Sequence, residues 1–97
     1  MNKSITDRYD VYITDLKLIG WVVDLYGDNI VTMIRDGYNL SMWINISTNK
    51  IEFSIESKGI YNRKGDIIRN KTDYIGERKF DEYFRHEIRE KKLEELL

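Results

Sequence analysis

The 97-residue chain contains no cysteine, proline, alanine or glutamine. Without cysteine it forms no disulfide and no thiolate metal site, and because small secreted domains usually need disulfides, a cytoplasmic location is favoured. The sequence has no run of about 18 apolar residues and no signal-peptide pattern, so we expect no membrane partner. Its 16 basic and 17 acidic side chains give a formal net charge of −1, so bulk charge marks neither a nucleic-acid binder nor a nucleic-acid mimic.

Length and hydrophobic pattern together predict a small folded domain. With 41% hydrophobic residues, the chain can bury one core without disulfides. We divide the single domain, 1–97, into an antiparallel sheet over 8–56, a basic irregular crossover over 57–76 and a helix over 77–97. Strands are expected near 9–14, 18–25, 30–35, 38–46 and 51–56. The predicted fold class is α+β, a five-stranded antiparallel β-meander with a C-terminal α-helix packed on one face.

Turn residues set the register of the predicted sheet. Asp36-Gly37 and Gly27-Asp28 are typical two-residue hairpin turns, and 47–50 forms a further turn. The resulting cross-strand pairs include Met33–Leu40, Val31–Met42, Val22–Met33 and Ile44–Phe53. The predicted core face holds Tyr9, Val11, Ile13, Leu18, Val22, Val31, Met33, Leu40, Met42, Ile44, Ile46, Ile51, Phe53 and Ile55. A helical stripe of Phe80, Phe84 and Ile88 is expected to pack on it.

The opposite face of the predicted sheet is unusually apolar for a solvated surface. It carries Tyr12, Ile19, Trp21, Val23, Leu25, Ile30, Ile34 and Trp43. A contiguous apolar patch with two tryptophans is typical of a binding interface, and the alternative is a sheet that curls closed or is covered by 57–76. Because Ser41 and Asn45 flank Trp43, we expect Trp43 to be more exposed than Trp21.

A basic segment follows the predicted sheet. Its charged residues are Lys58, Arg63, Lys64, Arg69 and Lys71 against Asp66, with Tyr61 among them. Basic side chains next to an aromatic ring suit phosphates and stacked bases, and they suit an acidic protein surface equally well. The alternative is a loop whose charge keeps a sheet edge soluble.

The C-terminal helix offers two further patterns. Leu93, Leu96 and Leu97 match a short helix-in-groove format, although a frayed helix end explains them as well. Glu82, His86 and Glu90 lie in line on one helical face, which closes a tetrahedral metal site poorly. With one histidine and no nucleophile motif, the sequence predicts no enzyme, no metal and no cofactor.

We therefore predict a small non-enzymatic protein-binding module. Its size, its many residues with AT-rich codons and its apolar second face resemble, in kind and by no motif, phage-encoded inhibitors of host defence enzymes such as anti-CRISPR proteins. That resemblance implies steric occlusion of a larger host enzyme, for example a nucleic-acid enzyme, in the host-cell cytoplasm; a homodimer is an open option. The alternative is a nucleic-acid-binding accessory protein that uses 58–71. The predicted partner-binding residues are Trp21, Ile34, Trp43, Tyr61, Arg63, Lys64, Arg69, Lys71, Leu93, Leu96 and Leu97.

Overall fold

A computed structural model of the protein describes residues 5–57, 60–61, 63–64, 67–69 and 72–97. Along the chain, one helix precedes the strands and one helix follows them. The elements are α1 (Ile5–Leu18), β1 (Val22–Tyr26), β2 (Ile30–Arg35), β3 (Tyr38–Asn45), β4 (Lys50–Ser57), β5 (Ile60–Tyr61), β6 (Ile67–Arg69), β7 (Thr72–Gly76) and α2 (Glu77–Leu96). Thus α2 begins at the residue where the sequence predicts a helix.

The main sheet has five antiparallel strands in the order β1-β2-β3-β4-β7, and β5 and β6 form a separate two-stranded hairpin. Both helices bury apolar side chains against the same face of the main sheet. The α+β class, the five-stranded antiparallel sheet and the packed C-terminal helix are therefore confirmed. The crossover predicted as irregular is wrong in part, because it contains the β5–β6 hairpin and the fifth strand of the sheet, β7.

The predicted first strand near 9–14 is wrong, because these residues belong to α1. Tyr9, Ile13 and Leu16 recur every three or four residues and form the buried face of this helix. Asp7 in its first turn and Lys17 in its last turn complement the helix dipole. The helix is followed by Gly20 with φ of 98°, a left-handed conformation that commonly ends helices.

The central hairpins keep the predicted faces. β2 and β3 pair Met33 with Leu40, as predicted, across a turn in which Asp36 and Gly37 both have positive φ (47° and 82°). β3 and β4 pair Met42 with Phe53, two residues away from the predicted Ile44–Phe53 pair. A shift of two residues leaves every side chain on its predicted face, because strand side chains alternate with a period of two.

The β1–β2 pairing departs from the prediction by one residue. Val22 lies opposite Ile34 and Val23 opposite Met33, after which a β-bulge at Asp24 shifts the register. A one-residue shift exchanges the two faces of a strand. Val22 therefore points away from the core, and the predicted Val22–Met33 pair is wrong.

The core lies between the sheet and the two helices. Phe53 of β4 stacks on Phe80 of α2 with ring centroids 4.7 Å apart, and Tyr12 meets both rings edge-on. The stripe of Phe80, Phe84 and Ile88 is buried, as predicted. Three residues predicted for the core, Val11, Val22 and Ile46, are exposed instead. The buried side chains are Tyr9, Ile13, Leu16, Ile19, Trp21, Val31, Met33, Leu40, Met42, Ile51, Phe53, Ile75, Phe80, Phe84 and Ile88.

Candidate functional site

Both helices lie on one face of the main sheet, and neither helix covers the other face, here called the open face. Four aliphatic side chains of β1 and β2 lie on the open face with exposed fractions between 41% and 61%. They are Val22, Leu25, Ile30 and Ile34. Exposed apolar patches are typical of surfaces that bind other molecules.

Across the strands, the open face changes from apolar to polar. Trp43 of β3 lies directly between Ile30 of β2 and Glu52 of β4. The indole Nε1 of Trp43 donates a hydrogen bond of 3.0 Å to Glu52 Oε2, which fixes the ring at the boundary between the two halves. The face therefore combines an aliphatic half on β1 and β2 with a polar half on β4, joined by an aromatic side chain.

The two tryptophans lie on opposite sides of the sheet. Trp21 was predicted on the open face, but it is only 3% exposed in the core, edge-on to Phe84 at 6.1 Å. The guanidinium of Arg35 lies 5.0 Å from its ring centroid. Trp43 is half-buried, so the predicted order of exposure is confirmed, while the placement of Trp21 among the surface residues is wrong. The bulge at Asp24 and the helical conformation of α1 account for the error.

Tyr74 also lies on the open face, and it is not among the binding residues predicted from the sequence. It is 77% exposed and pairs across β7 and β4 with Ser54. Trp43, Glu52, Tyr74 and Gly76 line a concavity of 330 Å³, here called the aromatic notch, whose remaining lining residues are Phe53 and Ile75. The adjacent strand-forming residues Tyr74 and Ile75 are the only hint of β7 in its sequence, and they do not show which strand β7 pairs with.

A second concavity, of 360 Å³, lies between α1 and α2 and contains many charged side chains. Most of this charge is matched within the protein, through the pairs Arg8–Glu77 (3.2 Å), Arg85–Asp81 (2.7 Å) and Lys92–Asp15 (3.3 Å). Tyr12 lines the same groove and donates a 2.9 Å hydrogen bond to Glu77. Burial and this hydrogen bond raise the pKa of Tyr12 above its usual range. The groove is thus a place where the two helices are joined by internal pairs.

The predicted basic segment is described only in part. Lys58, Asp66 and Lys71 lie outside the described residues. The backbones of Tyr61 and Arg69 belong to β5 and β6, and Arg63 and Lys64 are exposed in the turn between these strands. The structure therefore places Arg63 and Lys64 in the turn of the β5–β6 hairpin.

The end of α2 carries the remaining predicted residues. Leu93, Leu96 and Leu97 are exposed and lie beyond the last buried residue of the helix, Ile88. His86 Nε2 lies 3.1 Å from Glu90 Oε1, with both side chains exposed. Within the described ranges, no group of three or more histidine or acidic side chains is placed to hold a metal ion. Nor does that part of the chain contain a helix of the length and apolarity needed to cross a membrane.

Comparison with known proteins finds no match to a family model, to a curated protein or to a solved structure. The surfaces of this chain are therefore the source of information on its function. Among the residues whose exposure the structure describes, the open face has the largest group of exposed apolar side chains, and it includes two of the predicted partner-binding residues, Ile34 and Trp43.

Proposed function

We propose that the chain is a non-enzymatic protein-binding module that binds a larger protein through the open face. The observation that carries this proposal is the group of exposed aliphatic side chains around Trp43 on a sheet face that neither helix covers. Interfaces are centred on such residues, and tryptophan is among those whose truncation weakens binding most.

The two halves of the open face define the chemistry of the partner. Opposite β1 and β2, the partner presents apolar side chains, which are removed from water on binding. Opposite β4, it presents hydrogen-bond donors for Glu52 and Ser54, since a buried carboxylate or hydroxyl without a partner would weaken the complex. An interface of ordinary size covers about 800 Å² on each protein, which a five-stranded face can supply.

Steric occlusion is the mode of action that we favour for this module. A small protein that covers about 800 Å² of a larger enzyme can block a substrate channel without any chemistry of its own. Inhibition of a host enzyme by an anti-defence protein of phage type is the specific form of the proposal, supported by the sequence features described above.

The proposal is tested with paired surface variants of the full chain. Ile30→Lys/Ile34→Lys changes the open face at residues exposed by 42% and 41%, and Val11→Lys/Tyr83→Lys is the control on the helices, at 44% and 49%. We expect the wild type and the control to bind the same protein, and the open-face variant to bind that purified partner at least about 30-fold more weakly. Equal binding by all three, or no protein that binds specifically to the wild type, contradicts the proposal.

Nucleic-acid binding through the basic segment is the second candidate, supported by the exposure of Arg63 and Lys64 at the hairpin tip. Binding that depends on phosphate contacts weakens steeply between about 50 and 200 mM salt. Arg63→Glu/Lys64→Glu should then abolish binding to a single-stranded oligonucleotide and leave the fold intact, because exposed charges contribute little to stability. No measurable binding of the wild type at about 50 mM salt would refute this candidate.

A further inference from the structure

The aromatic notch contains a carboxylate that is only partly used inside the protein. Oε2 of Glu52 accepts hydrogen bonds from Trp43 Nε1 at 3.0 Å and from Asn45 Nδ2 at 3.4 Å. Oε1 accepts no hydrogen bond from the described residues, and none of their lysines or arginines forms an ion pair with Glu52. One oxygen of a half-buried anion is therefore available on the open face.

Two aromatic rings flank this carboxylate. Trp43 lies beside it on β3, and Tyr74 lies on β7, on the far side of β4. The strands that carry the two rings are two sheet spacings apart, about 9.5 Å, and Tyr74 is offset from Trp43 by two residues, about 7 Å, along the strand direction. The two backbone positions are therefore about 12 Å apart, and a cation midway between the side chains can approach within about 6 Å of both ring centres. Each ring has a negative face, and its attraction for a cation adds to that of the carboxylate.

Gly76 keeps the notch open. It lies directly opposite Glu52 on the neighbouring strand, with its side-chain position on the open face. A Cβ atom placed on Gly76 would meet nothing within 4 Å, and its φ of −95° is available to any residue. The space beside Glu52 therefore exists because residue 76 has no side chain, and a larger residue there would fill it without straining the backbone.

We propose that the aromatic notch binds a basic side chain, lysine or arginine, of the protein partner. The ammonium or guanidinium group lies between Trp43 and Tyr74 and pairs with Glu52 Oε1. The identity of the partner rests on the proposed function of the open face, but the cation site itself is a property of this chain. It adds a charged contact on the polar half of the open face, and thereby selects partners that present a basic residue beside an apolar patch.

The experiment uses short peptides in place of the partner. The probes are acetylated, amidated Gly-Lys-Gly, the same peptide with arginine, and a norleucine peptide that lacks the charge. Binding is followed in ¹⁵N–¹H spectra through the indole Nε1–H signals, because Trp43 lines the notch and the buried Trp21 is a control within the same sample. We expect the lysine and arginine peptides to shift the Trp43 signal with dissociation constants in the millimolar range and to leave the Trp21 signal in place.

Four variants test the assignment. Glu52→Gln and Tyr74→Ala should each weaken binding of the lysine peptide by about fivefold or more, since each removes one source of attraction. Gly76→Val should abolish binding by filling the notch. Tyr83→Ala, which removes an exposed tyrosine of α2, should leave binding unchanged. The unaffected core signals in the same spectra show that each variant is folded.

A Trp43 signal that does not move at about 50 mM lysine or arginine peptide, or that moves equally with norleucine, overturns the cation site. Neither result affects the proposal that the open face binds a protein, which the paired Ile30 and Ile34 variants test separately. Conversely, peptide binding that survives in those variants, together with no protein partner, keeps the cation site and removes the proposed function.

Discussion

At the scale of single residues, Phe53 has the most central position in the core. Its side chain is fully buried, stacked on Phe80 and in contact with Tyr12. Phe53→Ala should lower the free energy of unfolding by about 3–5 kcal/mol, because it leaves a cavity between the sheet and α2. Ile46→Ala, at an exposed loop residue, is the control and should change it by less than about 0.5 kcal/mol. Urea unfolding measures both, and similar losses would contradict the described core.

Tyr9 and Tyr12 make a matched pair of hydroxyl groups. The buried hydroxyl of Tyr9 finds no hydrogen-bond partner among the described residues, whereas that of Tyr12 donates to Glu77. Tyr9→Phe should raise the free energy of unfolding by about 1 kcal/mol, because it removes an unsatisfied polar atom. Tyr12→Phe should lower it by a similar amount, because it leaves Glu77 with one donor fewer. A loss of stability in both variants would contradict this account.

The hydroxyl of Tyr9 makes the free energy of unfolding depend on pH in the alkaline range. Burial raises the pKa of Tyr9 from 10.0 to about 12, so the folded state favours the neutral phenol. This contribution is complete below pH 10 and is lost as the pH rises towards 12. The advantage of Tyr9→Phe over the wild type in chemical unfolding should therefore be larger at pH 11 than at pH 7. Tyr83→Phe, at an exposed position, is the control and should show no such widening.

At the scale of elements, the sequence predicts structure well where the signal is local. The Asp36-Gly37 turn determines the β2–β3 register, and a stripe with helical spacing defines α2. Residues 9–16 carry two patterns at once, since Tyr9, Val11 and Ile13 alternate while Tyr9, Ile13 and Leu16 repeat as in a helix. Packing against α2 and the sheet favours the second pattern.

The candidate site was predictable only in the strands with local turns. Ile34 and Trp43 lie on the hairpin formed by β2 and β3, and their face follows from the turn between them. Tyr74 reaches the open face because β7 pairs with β4 after an intervening hairpin, and such a long-range pairing has no local sequence signal. Trp21 and Val22 lie on the opposite faces from those predicted because of the bulge at Asp24. The alternation of apolar and polar residues alone does not reveal such a bulge.

Arg35 connects β2 to α2 and to the segment between α1 and β1, and the planar guanidinium group is essential to that role. From β2 its Nη1 donates to the carbonyl of Ile19 at 2.9 Å and pairs with Glu87 of α2 at 2.8 Å, while its plane covers Trp21. Arg35→Lys should lower the free energy of unfolding by about 1–2 kcal/mol, because a lysine cannot make these contacts together. Arg85→Lys, at an exposed pair on α2, should have little effect on thermal unfolding. Equal shifts in Tm would contradict a joining role for Arg35.

At the scale of the whole molecule, the chain is thin and has a large surface. Its accessible area is 7305 Å², whereas a compact monomer of this mass exposes roughly 5,900 Å². Its radius of gyration is 15.1 Å against about 12.5 Å expected for the length, and its shortest dimension is 23 Å. A thickness of this size corresponds to one helix layer on one sheet, the arrangement that α1, α2 and the main sheet form.

This two-layer arrangement predicts different solvent contact for the two tryptophans. In the dilute protein, the Trp21→Phe variant retains Trp43 as its single tryptophan, and acrylamide should quench the fluorescence of Trp43 strongly. Trp43→Phe leaves Trp21, which should be quenched only weakly because it is enclosed by α2 and Arg35. Equal quenching of the two variants would show that the open face is closed in solution.

The β-bulge at Asp24 has a consequence for how copies of this protein meet one another in a crowded cell. Strands β1 and β7 are the two edges of the main sheet, and an unprotected edge recruits further strands and starts polymerisation. The bulge places an exposed carboxylate and an irregular backbone in β1, while β7 is only five residues long before α2 begins. Both features disfavour the addition of a further strand at the edges of the sheet. Binding through a sheet face stops once one partner occupies that face, whereas strand addition at an edge creates a new edge and can continue without limit.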